Sequence, residues 1–211
     1  MVRDPRCRQG TRRRSRPEGT AMNGHRRLVE RFDPEPVSRT EIETHLRIDV
    51  GDAADGYMEG LIRTAVQYVS DSTWLGLVGE RWEIGLRDFP HGPISLYPLP
   101  LREVESIEYR TREGDEVTLG AAEYRTVIRT GTATVEPVES WPKDVDPESV
   151  RVTYTTGYQP GEAPAQARHA IRMLTAHWYS MREPAVMGAR VNEVPMSVTA
   201  LIDQIAMRRF R

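Results

Sequence analysis

Cysteine is nearly absent. Cys7 is the only one in 211 residues, so no intrachain disulfide can form and nothing points to an oxidising compartment. Long apolar runs are absent as well. None approaches the ~18 residues that a membrane span needs, and the arginine-rich start lacks the apolar stretch of a secretory signal, so a cytoplasmic protein is expected. Lysine is scarce: of the 29 Lys and Arg, only Lys143 is lysine, a bias that fits a GC-rich coding sequence and says little about ligands.

The spacings that chemistry needs are also missing. There is no GxxxxGK[ST] phosphate loop, no GxSxG nucleophile turn and no HExxH pair. His169 and His177 stand eight apart, where a helical metal pair normally needs four, and His25, His45 and His91 fall in unrelated segments. Asp49, Asp52 and Asp55 are close together, but Gly51 and Ala53 occupy positions where a calcium loop needs oxygen ligands. Cys7 sits in a polar tail with no neighbourhood to lower its pKa. No catalytic, cofactor or metal residues are therefore assigned, and an enzyme is not expected.

What is present begins with uneven charge. Residues 1–21 hold seven arginines (Arg3, Arg6, Arg8, Arg12, Arg13, Arg14, Arg16) against Asp4 and Glu18. The overall charge is −2, so the rest of the chain is acidic. The basic stretch has too few apolar side chains to offset the entropy of ordering, so residues 1–36 are expected to be a disordered basic extension and polar linker. Such a tail can also bind nucleic acid, which is the alternative functional reading.

A folded domain is expected over residues 37–211, α+β and mainly helical, as a bundle of about four helices with an inserted antiparallel β module. The helices are predicted over 38–47, 53–75, 164–183 and 195–209. Ser38 and Glu41 have capping-box spacing, with Val37 and Ile42 placed for a hydrophobic staple. In the second helix Asp52 or Asp55 is the expected cap, and Tyr57, Leu61, Ala65, Tyr68 and Val69 the expected buried stripe. The third is the organising element: Ala167, Ala170, Ile171, Leu174, Trp178 and Met181 recur at three and four between Pro164 and Pro184, over ~30 Å. Val198, Leu201, Ile202 and Ile205 mark the last helix. Between Gly79 and Gly157 the period falls to two, as in Trp82, Ile84 and Leu86. The β module is accordingly set at 80–156, with a hairpin turn at Gly114 and Asp115.

The order of these parts resembles the head-to-tail connector, or adaptor, family of long-tailed phages and gene transfer agents. The matching stretches are LPLREVESIEY, the TTGY before the long helix, HWYSMRE at its end and VPMSVTALI at the start of the last helix. The resemblance implies a ring, usually of twelve copies, under the portal of a DNA-filled head. That ring would extend the channel through which DNA passes without sequence-specific binding, and would dock the next tail-side component. It implies host cytoplasm during assembly and the virion neck afterwards. The expected portal contacts are Ile202, Ile205, Met207, Arg208, Arg209, Phe210 and Arg211, because an aromatic among arginines is a common interface anchor. The expected neighbour or tail contact is the loop with Arg110, Arg112, Glu113, Asp115 and Glu116.

Overall fold

The computed structural model describes residues 24–49, 56–181 and 194–206. Among them, four helices and eight strands take near-equal shares. The α+β class stands, and the expectation of a mainly helical bundle is corrected: the helices form one half of the molecule and a two-sheet β layer forms the other.

The helical half contains α1 (Arg39–Leu46), α2 (Tyr57–Thr73), α3 (Ala165–Ser180) and α4 (Met196–Ile205). Ser38 and Glu41 form the expected capping box: the Glu41 N–H donates to Ser38 Oγ at 3.3 Å, and the Ser38 N–H donates to the Glu41 carboxylate at 2.8 Å. Val37 and Ile42 are both buried beside it. On α3, Ala167, Ala170, Ile171 and Leu174 are fully buried, Trp178 is half-buried and Met181 is exposed.

The core face of α2 differs from the expected stripe. Met58, Ile62, Ala65, Val66 and Val69 point inward, one residue round from Tyr57, Leu61 and Tyr68. A tyrosine at the margin can pack its ring and keep its hydroxyl near water. Tyr68 meets Trp178 edge-on at 6.3 Å, and Tyr57 meets Tyr179 at the same centroid distance. The cap of α2 is Gly56 at φ 80°, without a side-chain hydrogen bond, while Asp52 and Asp55 lie outside the described residues. The last helix, α4, buries Val198 and Ile202 against the same core, and Ala206 is already extended, so this helix stops short of residue 209.

The β half contains β1 (Gly24–Arg31), β2 (Glu80–Leu86), β3 (Ile94–Leu96), β4 (Leu101–Arg110), β5 (Glu116–Thr118), β6 (Tyr124–Arg129), β7 (Thr132–Pro137) and β8 (Val150–Thr156). One sheet runs β1-β2-β8-β4-β5 and the other β3-β7-β6, with every neighbouring pair antiparallel. The two sheets share a core that includes Leu96, Ile107, Val135, Val152 and Tyr154. Trp141 covers its margin, stacked on Phe89 at 4.9 Å and donating its indole N–H to the Gly92 carbonyl.

Strand β1 corrects the expected linker. It pairs with β2 from Gly24↔Leu86 to Arg31↔Glu80, with an irregularity between Leu28 and Glu30. Its polar residues are held by partners that periodicity cannot reveal. The Arg26 guanidinium lies over the rings of Trp74 and Trp82, at 5.4 and 5.2 Å, and donates to the Tyr97 carbonyl. Arg31 pairs with the buried Glu80 at 2.9 Å.

The halves meet where backbone crosses backbone. The Gly76 N–H donates to Leu99, the Gly157 N–H to Pro100 and the Tyr158 N–H to Gly76. Gly157 has φ 106°, and a Cβ there would lie 1.8 Å from the Val78 carbonyl oxygen. The glycine of the TTGY motif is thus required by positive φ and by lack of space.

Candidate functional site

The best-formed candidates for function are the two flanks of the five-stranded sheet. On one flank, the Gly114 turn (φ 100°) closes the β4–β5 hairpin, with the Thr111 N–H donating to Asp115 and the Gly114 N–H to Thr111. This brings together all five residues of the expected contact loop. Arg110 lies 3.9 Å from Glu116 and 3.8 Å from Asp146, and Arg112 lies 3.9 Å from Asp144. Glu113, Asp115 and Glu116 are exposed, the Glu116 side chain at 87%. A groove of about 220 Å³ lies beside the hairpin, lined by Glu108, Arg110, Glu116, Asp146, Glu148 and Arg151 among others. Its walls are acidic overall. Long, solvent-facing ion pairs of this kind contribute little stability, so their carboxylates stay available to a partner.

On the opposite flank, β1 presents Val29, exposed at 46%, while Phe32 just past the strand is 44% exposed with its ring against the Arg102 guanidinium. Sequence reasoning missed this surface. The available signal was the alternation of Arg26, Leu28 and Glu30 with Arg27 and Val29, obscured by the run of charge. Further exposed apolar residues are Ile128 and Val138 on the β6–β7 hairpin, and Met181 and Met196 at helix ends.

The expected portal-contact residues are divided. Ile202 is buried within the domain, Ile205 is partly buried against the helical core, and Met207, Arg208, Arg209, Phe210 and Arg211 lie outside the described residues. His169 is exposed, and among the described residues no group of three His, Cys, Asp or Glu side chains is placed to hold a metal ion. Among the described residues no helix is long and apolar enough to cross a membrane. Burial raises the pKa of two tyrosines. Tyr154 is shifted furthest, its O–H donating to the Tyr97 carbonyl at 2.5 Å, and Tyr158 is raised by desolvation as well.

No protein-family model matches the sequence, and no curated protein is significantly similar to it. Solved structures do resemble it. A chain in the neck of an empty GTA particle, computed with C6 symmetry, superposes with TM-score 0.71 at 21% identity, covering 89% of this chain and 97% of that one. The fold is shared with a GTA neck. A chain in the virion of a native gene transfer agent (GTA) particle gives TM-score 0.69 at 19% identity, and one in the neck of a native GTA particle computed with C12 symmetry gives 0.68 at 20%. Each match covers 88% of this chain and 97% of its own. The chains of similar fold come from GTA particles, one of the two kinds of particle named by the connector resemblance in the sequence. At these identities the likeness is one of fold, extending over both the helical half and the β layer.

Proposed function

We propose that this chain is a structural head-to-tail connector. Copies of it form a ring under the portal of a phage or phage-like particle, extend the DNA channel and dock the next tail-side component. The observation that carries this reading is the near-complete coverage, in both directions, of a chain from a GTA neck. The C6 and C12 symmetries of the related necks support a closed, head-to-tail arrangement, in which one patch on each copy fits a different patch on its neighbour. The acidic body suits a passage for DNA, because a basic lining would hold the phosphates.

In this reading the chain acts by contact and carries out no reaction. Since α4 turns Val198 and Ile202 into its own core, contact with the portal through this end falls to Met207–Arg211. Deleting the gene in a producing cell tests the role. DNA-filled heads that accumulate without tails are the expected result, and normal tailed particles would overturn it.

A further inference from the structure

We propose that neighbouring copies join through opposite flanks of the five-stranded sheet, with the acidic β4–β5 hairpin of one copy seated along β1 of the next. This interface rests on the ring reading above and gives it a specific pair of surfaces.

Topology places the two surfaces apart. Strands β1 and β5 are the two outermost strands of the sheet, four strand spacings of ~4.8 Å apart, and their free edges face away from each other. A head-to-tail contact needs two unlike patches on different sides of one subunit, and the two flanks meet that requirement.

The edges themselves differ in how far they are protected. An unpaired strand edge is a template for another chain, and natural proteins blunt the edges they do not use. Edge strand β3 of the smaller sheet is blunted, being three residues long between Pro93 and Pro98. By contrast β1 runs for eight residues without proline, interrupted only near Val29. It is also held rigid from beneath by Arg26 in its Trp74–Trp82 sandwich, so less ordering is needed on docking.

Charge chooses the partner. Within β1, Arg26, Arg27 and Arg31 stand against Glu30 alone. Arg26 and Arg31 are engaged within the copy, whereas Arg27, whose side chain is 67% exposed, reaches Glu83 at 3.2 Å in a solvent-facing pair that a neighbour's carboxylate can share. On the other flank Glu113, Asp115 and Glu116 outnumber Arg110 and Arg112, and both of those arginines already face acids of their own copy. The remaining long edge, β6, carries Arg125 and Arg129; it is basic like β1 and does not complement it. Val29, exposed at 46%, is the apolar centre of the β1 side, and half-buried Val117 lies between the polar residues of β5. An apolar centre within a charged rim is the usual composition of a specific interface.

Single-cysteine chains in a Cys7→Ser background test the arrangement. His25→Cys and Glu116→Cys chains are mixed with the portal protein of the same particle, allowed to assemble and treated with a short bismaleimide. The expected result is cross-linking between the two variants and not within either one. In the same assay, Glu113→Arg with Asp115→Arg should raise the concentration needed for assembly about tenfold, with partial recovery when Arg27→Glu is added. Rings without the mixed cross-link, or Glu116→Cys chains that couple to themselves, would overturn this interface and leave the ring intact. Failure to form rings under any condition would overturn both.

Discussion

Arg102 Nη2 lies 2.6 Å from Asp33 Oδ2, joining β4 to the segment that follows β1. The same guanidinium donates through Nε to the Gly157 carbonyl at 2.7 Å, also donates to the Tyr158 carbonyl, and sits over the Phe32 ring at 5.5 Å. It therefore ties three separated segments at the junction of the two halves. Arg102→Ala should cost about 2–4 kcal/mol in denaturant unfolding, because it leaves a partly buried carboxylate and the carbonyls unpaired. Asp33→Asn should cost less, since the carbonyl contacts remain. Equal losses would show that the carboxylate pair alone matters.

Gly157 permits the close crossing beside Val78. With no room for a Cβ and φ at 106°, Gly157→Ala should prevent stable folding or lower the melting temperature sharply. Gly161 is the control, with φ 86° and nothing within 4 Å of the place a Cβ would take. Gly161→Ala should cost only about 1–2 kcal/mol, the backbone penalty alone. Thermal melts of the two variants provide the comparison.

Arg26 secures β1. Arg26→Ala removes two ring contacts and a hydrogen bond, with an expected cost of about 1–3 kcal/mol. Hydrogen exchange should accelerate at β1 amides such as Arg27 and Leu28 while the helical core keeps its protection. Uniform acceleration across the molecule would contradict a local anchoring role.

Glu35 lines a small cavity with Asp33, Val78 and Tyr158, and one of its carboxylate oxygens is buried without a hydrogen-bond partner. Burial raises its pKa above the ordinary 4.5, although the positive charges of Arg31 and Arg63 oppose the shift. The folded state therefore holds this proton more tightly than the unfolded chain. The resulting stabilisation is complete below the ordinary carboxylate pKa and is lost as pH rises through the raised folded value. Glu35→Gln should accordingly be more stable than the parent at neutral pH, with the difference vanishing in acid. A variant less stable at neutral pH would mean that the carboxylate is held favourably by its arginines.

The parts of this fold that are legible in sequence are those specified by near neighbours. Ser38 and Glu41 state a cap within four residues, the repeat from Ala167 to Leu174 states a buried helix face, and Trp82, Ile84 and Leu86 state a strand. Strand β1 is illegible because its stabilising partners, Trp74, Glu80, Trp82 and Tyr97, lie far along the chain. The face of α2 is legible at Ala65 and Val69, but reads one position out of place at Tyr57, Leu61 and Tyr68, because the tyrosines count as apolar in a periodicity but settle at a margin. The acidic hairpin is legible as a turn. Its position opposite β1 follows from strand order, which a linear pattern does not contain.

The central claim is that this chain works by assembling with copies of itself against a portal. Mass measurement and negative-stain imaging of the purified protein, alone and mixed with its portal, test this most directly. Closed rings on the portal are the predicted result, with about twelve copies by analogy with the C12 neck of similar fold. A chain that stays monomeric and does not bind the portal at any concentration would contradict it.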